Sequence, residues 1–274
     1  MTIHYCLMNP AGNITLLIQE PPAGTDKKAL ADALMAEHPA AEQAGFLGYH
    51  REDEPYLHMV GGEFCGNAAM SAAAFICRAE GLEPGCGSML MLEVSGADEP
   101  VETAVSARED GSWFCTAQLP PVSAHGMRDF VWGDRILKLP VFSCGGIRHL
   151  ITEEKWEKEM AEGAVKRWCG ELGTPALGIM FLDREKETLK PLVYVPGADT
   201  LYWEGSCASG SAAAGVFLAQ EKGSFVRLKL RQPAGTLGAA ARPDGTVRLS
   251  AAVTVMEMGA FEWNGEKGNG KNGD

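Results

Sequence analysis

The chain has 274 residues, carries 24 Lys and Arg against 36 Asp and Glu for a formal net charge of −12, and is 46% hydrophobic, 22% charged and 8% aromatic. Nearly twice the ~150 residues of an average domain, it should form two domains or one large one, and it is too apolar for a disordered chain. No apolar run reaches the ~18 residues of a membrane-spanning helix. With no basic cluster denser than Arg227, Lys229 and Arg231, a nucleic-acid surface is not expected either.

Met1–Asn13 lacks a basic start, an apolar core and a cleavage site, so no secretory leader is expected. Apolar stretches bounded by turn residues then predict strands at Ile14–Ile18, Leu57–Val60, Met89–Val94, Trp113–Leu119, Ile136–Phe142, Leu177–Leu182, Leu192–Val195, Phe225–Leu230 and Thr246–Val255. Apolar spacing and good helix formers predict helices over 27–37, 66–80, 153–169 and 208–221. The class is α+β. The acidic and basic alternation from Glu153 to Glu159 is expected to be a solvated helix face, and the Gly- and Asn-rich stretch 264–274 a disordered tail. Cysteines 6, 65, 77, 86, 115, 144, 169 and 207 are thinly spread, which favours reduced thiols in a cytoplasmic protein. No Cys-x-x-Cys or His-x-x-x-His pair occurs, so no metal is expected.

The order of features in the first half returns in the second. Gly12–Ile18 is echoed by Gly145–Ile151, Cys-Gly-Asn-Ala-Ala from Cys65 by Cys-Ala-Ser-Gly-Ser from Cys207, and Asp110-Gly111 by Asp244-Gly245, at offsets of 133, 142 and 134. Two similar halves are therefore expected, 1–125 and 126–263, joined near Ser123–Arg128, with a ligand cleft between them.

Each repeated cysteine precedes tiny residues and then an Ala-rich helix, which places a thiol at a helix N-terminus. Unpaired backbone N–H groups and the helix dipole favour an anion there, either a thiolate or a bound carboxylate. Small residues at Gly66, Ala68, Ala69, Ala208 and Gly210 would let a ligand approach the backbone. A single cysteine is most simply a small buried apolar residue. The same context twice, at equivalent points of a duplication, points instead to two thiols facing one substrate: one removes a Cα proton and the other delivers a proton to the opposite face.

Phe64-Cys65-Gly66-Asn67-Ala68-Ala69, Trp203-Glu204-Gly205-Ser206-Cys207-Ala208-Ser209-Gly210, Asn9-Pro10-Ala11-Gly12-Asn13 and Gln232-Pro233-Ala234-Gly235 resemble the diaminopimelate epimerase superfamily of PLP-independent racemases, over about residues 3–262. With Glu42-Gln43-Ala44-Gly45-Phe46, the chain is most similar to the histidine racemases of opine-type metallophore pathways. The resemblance implies two pseudo-symmetric halves, each a sheet rolled around a central helix, no cofactor, a free amino acid as substrate and a homodimer formed through the first half. It implies Cys65 and Cys207 as acid and base, Asn13 as a substrate contact, backbone donors at Gly66, Asn67, Ala208 and Ser209 for the α-carboxylate, and Glu204 as acceptor for the α-ammonium. Glu42 and Gln43 would lie near the substrate side chain. Diaminopimelate epimerases carry Arg after the Glu matched by Glu204, and an Asn in the strand matched by Leu192–Val195. This chain has Gly205 and no such Asn, which disfavours a second zwitterionic end on the substrate.

His58 is expected to be a satisfied strand histidine, Glu63 to orient the loop before Cys65 by accepting from backbone N–H groups, and Trp132, Trp156, Trp168 and Trp263 to pack. The readings that compete with a histidine racemase are a racemase or epimerase of another amino acid, a double-bond isomerase of the superfamily, which lacks paired cysteines, and a non-catalytic small-molecule binding protein.

Overall fold

The computed structural model describes residues 1–51 and 53–265. The first half runs β1 (Thr2–Pro10), β2 (Thr15–Gln19), α1 (Lys27–Glu37), β3 (Gln43–Tyr49), β4 (Pro55–Met59), α2 (Gly66–Ala79), β5 (Gly87–Val94), β6 (Val101–Ala107) and β7 (Trp113–Gln118). The second runs β8 (Ser123–Trp132), β9 (Arg135–Cys144), β10 (Ile147–Thr152), α3 (Lys158–Leu172), β11 (Leu177–Asp183), β12 (Thr188–Val195), β13 (Thr200–Trp203), α4 (Ala208–Lys222), β14 (Val226–Arg231), β15 (Thr236–Ala241) and β16 (Val247–Glu262).

The halves repeat one path. An antiparallel pair, β1–β2 or β9–β10, is followed by a helical crossover to a parallel neighbour, β3 or β11. An antiparallel strand follows, and a second crossover through α2 or α4 sets Leu57 beside Val94 and Thr188 beside Arg231. β1–β7 and β16 close an eight-stranded barrel, because β16 pairs with β7 through Arg248–Val253 and with β1 through Val253–Glu262. In the second half the ladder runs on from β16 through β15, β14, β12, β11, β10 and β9 and ends at β8, which follows Pro120-Pro121 and pairs with β9. Two prolines supply no backbone donors, so the ladder stops and restarts between β7 and β8. Residues 123–128, expected to join the halves, are strand.

The Ala-rich helices are central because they present little bulk on any side. Ala68, Ala69, Ala72, Ala73 and Ala74 of α2 and Ala212, Ala213 and Ala214 of α4 are fully buried. A helix apolar around its circumference belongs inside a core, and Ala adds the best intrinsic helix propensity. Outside the sheets, α1 buries Leu30, Ala31 and Leu34 against β1–β3, and α3 buries Trp168 among Phe130, Trp132 and Trp156. Trp263 is buried too.

All four expected helices are present. The third starts at Lys158, not 153, and runs to Leu172, where Gly173 ends it with a left-handed φ of 58°. Residues before it are diverted: Glu153 pairs with Arg184, Glu154 with Arg135, the Glu154 N–H donates to Thr152 Oγ1, and Trp156 packs edge-on to Phe181. β1, β3, β6, β8, β10, β13 and β15 lie outside the expected strands. β3 and β15 are rich in Gly and Ala, which carry little strand propensity. Of the expected tail, 266–274 lie outside the described residues. Among the described residues no helix is long and apolar enough to cross a membrane.

Candidate active site

Cys65 and Cys207 are the N-caps of α2 and α4, with nearly identical backbones: φ −130° and ψ 110° for one, φ −129° and ψ 112° for the other. The two helix starts face each other closely; a Cβ built on Gly66 would lie 3.5 Å from Ala208 Cβ. The first intrahelical bonds run from Ala69 N to Cys65 O and from Ser211 N to Cys207 O, so the N–H groups of Gly66, Asn67, Ala208 and Ser209 precede the regular ladder. The site thus joins two positive helix ends. Buried polar atoms without partners gather here as well, at Asn67 Oδ1 and Ser206 Oγ, which suits a polar ligand.

Each half also inserts a turn beside the other half's cysteine loop. The Ala11-Gly12 turn, with φ values of 58° and 97°, lies against Ala234, and the Gly145-Gly146 turn, with 58° and 86°, lies against Phe64. A Cβ on Gly12 would sit 2.6 Å from the Ala234 carbonyl carbon, so both the left-handed backbone and the close approach require glycine.

Around Cys65 a chain of amides leads outward. The Cys65 thiol donates to Gln43 Oε1 at 3.0 Å and accepts from the Ala68 N–H at 3.4 Å. Gln43 Nε2 donates to Asn13 Oδ1 and to Thr15 Oγ1, both at 2.7 Å. Asn67 Nδ2 also donates to Asn13 Oδ1, at 3.0 Å, and Asn13 Nδ2 donates to Glu42 Oε2 at 2.7 Å. Burial pushes the Cys65 thiol up to about 11, against the Ala68 N–H. Burial also raises the Glu42 carboxyl, opposed by Asn13.

Around Cys207 the groups differ. Its backbone N–H donates to Gln232 Oε1 at 2.9 Å, and Gln232 Nε2 reaches Ser211 Oγ at 2.8 Å. Its thiol lies 3.7 Å from Ser209 Oγ, which is 3.0 Å from His149 Nε2. Burial and the adjacent Glu204 carboxylate push this thiol well up. Glu204 is itself raised to about 7, by burial and by nearby Glu42, against its hydrogen bond to Cys207. His149 is fully buried and held down to about 3, so the ring is neutral.

The strand registers explain the difference. Thr15 pairs with Gln43 across β2 and β3, and His149 with Gly178 across β10 and β11. In the first half a small residue on one strand leaves room for Gln43 to reach the thiol. In the second, Gly178 leaves room for His149, whose Nδ1 would be 2.6 Å from a Cβ at 178.

The structure therefore gathers Asn13, Glu42, Gln43, Cys65, Gly66 and Asn67 on one side, and Glu204, Cys207, Ala208 and Ser209 on the other. Sequence reasoning passed over Thr15, His149 and the roles of Gln232 and Ser211; a histidine in the echo of β2, whose own strand carries none, was the available signal. Beside Glu63, it is the backbone carbonyl that accepts, from Ser95 Oγ at 3.0 Å. His58 sits in β4 within 3.5 Å of Glu93, away from the cysteines.

The model of the histidine racemase CntK N-terminal domain matches residues 2–260. The chain is 33% identical over 246 residues to a histidine racemase of Fusobacterium nucleatum, covering 86% of this chain and 88% of that protein. It is 28% identical over 251 residues to a histidine racemase of Staphylococcus aureus, covering 86% and 87%. In fold it is similar to a predicted epimerase from Pseudomonas aeruginosa (TM-score 0.69, 14% identity, 95% of this chain and 99% of that one). It is likewise similar to a hydroxyproline epimerase from Agrobacterium vitis with bound trans-4-hydroxy-L-proline (TM-score 0.67, 11% identity, 95% and 91%). With a family model spanning nearly its whole length, and two cysteine-capped helices meeting at their N-termini, the chain belongs to the histidine racemase family of PLP-independent amino-acid racemases.

Proposed function

We propose that this racemase interconverts L- and D-histidine, with Cys65 and Cys207 working on opposite faces of the substrate Cα. The observation that carries the reading is the meeting of two cysteine N-caps at one point, with Gly66 and Ala208 in near contact between them. The substrate α-carboxylate fits the N–H groups of Gly66, Asn67, Ala208 and Ser209, where two helix ends favour the charge that builds up when Cα loses its proton. Glu204 accepts from the α-ammonium. The thiolate on one face takes the Cα proton while the thiol on the other gives its own, so the centre inverts and the two sulfurs exchange protonation states. Turnover in the reverse direction uses the same pair with roles exchanged.

Histidine is favoured by the Glu42 carboxylate next to Gly205. Asn13 engages Glu42 Oε2 and leaves Oε1, which would lie 3.6 Å from a Cβ at 205, and an imidazole N–H is a suitable donor to that oxygen. Gly205 itself supplies no cation for a distal carboxylate, and a buried unpaired charge is strongly disfavoured. The test is chiral chromatography after incubation with L-histidine and, separately, with L,L-diaminopimelate. Appearance of D-histidine with no meso-diaminopimelate supports the reading. Inert histidine with another amino acid inverted would overturn the substrate, and epimerised diaminopimelate would overturn the charge argument.

A further inference from the structure

Glu42 and Cys65 stand at opposite ends of a hydrogen-bond chain with one direction. The Glu42 carboxylate accepts only, so Asn13 must turn Nδ2 toward it and Oδ1 inward. That oxygen receives Gln43 Nε2 and Asn67 Nδ2, so Gln43 must turn Oε1 toward the sulfur. Thr15 holds the same orientation, accepting from Gln43 Nε2 while donating to Asn13 O at 3.2 Å. A carbonyl oxygen facing Cys65 suits a thiol and repels a thiolate.

The opposite polarity is also built in. Were the outer end able to donate, Asn13 could turn its amide inward, Gln43 could present N–H to the sulfur, and Asn67 Oδ1, buried and without a partner, would gain a donor. The charged groups facing the chain are Glu63, on the loop entering α2 beside Cys65, and Glu204, after β13 beside Glu42. Both are carboxylates, and neither can donate to the chain when ionised.

We propose that Glu42 is a positioning residue which, through Asn13 and Gln43, holds Cys65 as the proton-donating thiol, and that neutralising Glu42 reverses the chain and favours the Cys65 thiolate. The inference deepens the two-thiol reading by naming what keeps Cys65 protonated in the unliganded enzyme, where Cys207 is held as a thiol by burial and the Glu204 carboxylate. When Cys65 gives its proton to the substrate carbon, its sulfur becomes anionic. Glu42, at the outer end of the chain, then takes a proton from solvent as the amides turn over, so the negative charge within the chain passes from carboxylate to sulfur.

The test measures alkylation of Cys65 by iodoacetamide against pH, followed by peptide mass spectrometry, in full-length Cys86→Ser/Cys207→Ser protein. A reagent of this kind reads the thiolate fraction. Glu42→Gln is expected to raise the Cys65 rate at pH 8 about tenfold, lowering the midpoint by about one unit. In a Gln43→Leu background, the same change is expected to alter the rate less than twofold, because the chain is already cut. If Gln43→Leu does not melt as a folded protein, Gln43→Met takes its place. An equal effect of Glu42→Gln in both backgrounds would show a through-space charge effect and overturn the proposal, as would no effect in either. No amino acid is present, so this result stands apart from whether histidine is the substrate.

Discussion

At the scale of single residues, the two thiols are equal in backbone and unequal in surroundings. Cys65 faces a neutral amide; Cys207 faces a carboxylate and, through Ser209, a neutral imidazole. Replacing either cysteine by Ser is expected to leave melting behaviour intact and to cut racemisation by at least about a thousandfold, because a hydroxyl is a far weaker acid than a thiol of pKa ~8.5. Glu204 supplies a second prediction. Its carboxyl is raised from 4.5 to about 7, so inversion should fall as pH drops below about 7 and the acceptor for the α-ammonium becomes protonated. The linkage to stability has the opposite sense. The folded chain binds this proton more tightly than the unfolded chain, so the ionised group costs stability above about 7, and the cost fades as pH falls toward 4.5. Glu204→Gln should therefore melt higher than the parent at pH 8, by roughly 2–4 °C for each kcal/mol relieved. The gain should shrink at pH 5 while activity is lost throughout. Equal melting shifts at both pH values would contradict the assignment.

At the scale of elements, the central helices and the turns that cross between halves carry the site. Ala73 of α2 is enclosed on every side, so Ala73→Leu should destabilise the protein by about 1–3 kcal/mol, readable as a lower urea midpoint. The helices were legible in the sequence because Ala-rich runs after a capping residue combine propensity with a start signal: 27–37 and the starts at 66 and 208 match. The start of α3 was not, since Glu153–Glu157 has helical composition while its ion pairs to Arg184 and Arg135 depend on strands distant in sequence. β3 was hidden for a similar reason. Gly45 looks like a strand breaker, yet a Cβ there would lie 2.9 Å from Leu57 Cδ1, so side chains of the neighbouring strand pack over the glycine that local propensity penalises.

At the scale of the whole molecule, duplication is what made the site legible. Cys65 and Cys207 stood out because one context occurs twice, and the structure brings the two helix starts they cap together. The duplication is imperfect where it matters chemically: aligned on the Ala11-Gly12 and Gly145-Gly146 turns, one residue off the sequence echo, Thr15 with Gln43 in one half is replaced by His149 with Gly178 in the other. That exchange crosses from one strand to its neighbour, so a linear comparison of the repeats passes over it. The two turns at Gly12 and Gly145 lock the halves around the thiols. Gly12→Ala, with its Cβ 2.6 Å from the Ala234 carbonyl carbon and its φ at 97°, is expected to lower both thermal stability and racemisation. A Gly24→Ala control, also at positive φ but with nothing within 4 Å, should lower stability only, through backbone strain.

The central claim is that two thiols on opposite faces exchange protons with Cα, and deuterium incorporation tests it most directly. With L-histidine in D2O, the account predicts that early D-histidine carries one deuterium at Cα, that starting D-histidine gives labelled L-histidine in the same way, and that neither labelled product forms with Cys65→Ser or Cys207→Ser. D-histidine formed without solvent deuterium, or labelled product from either cysteine variant at near the parent rate, would contradict it.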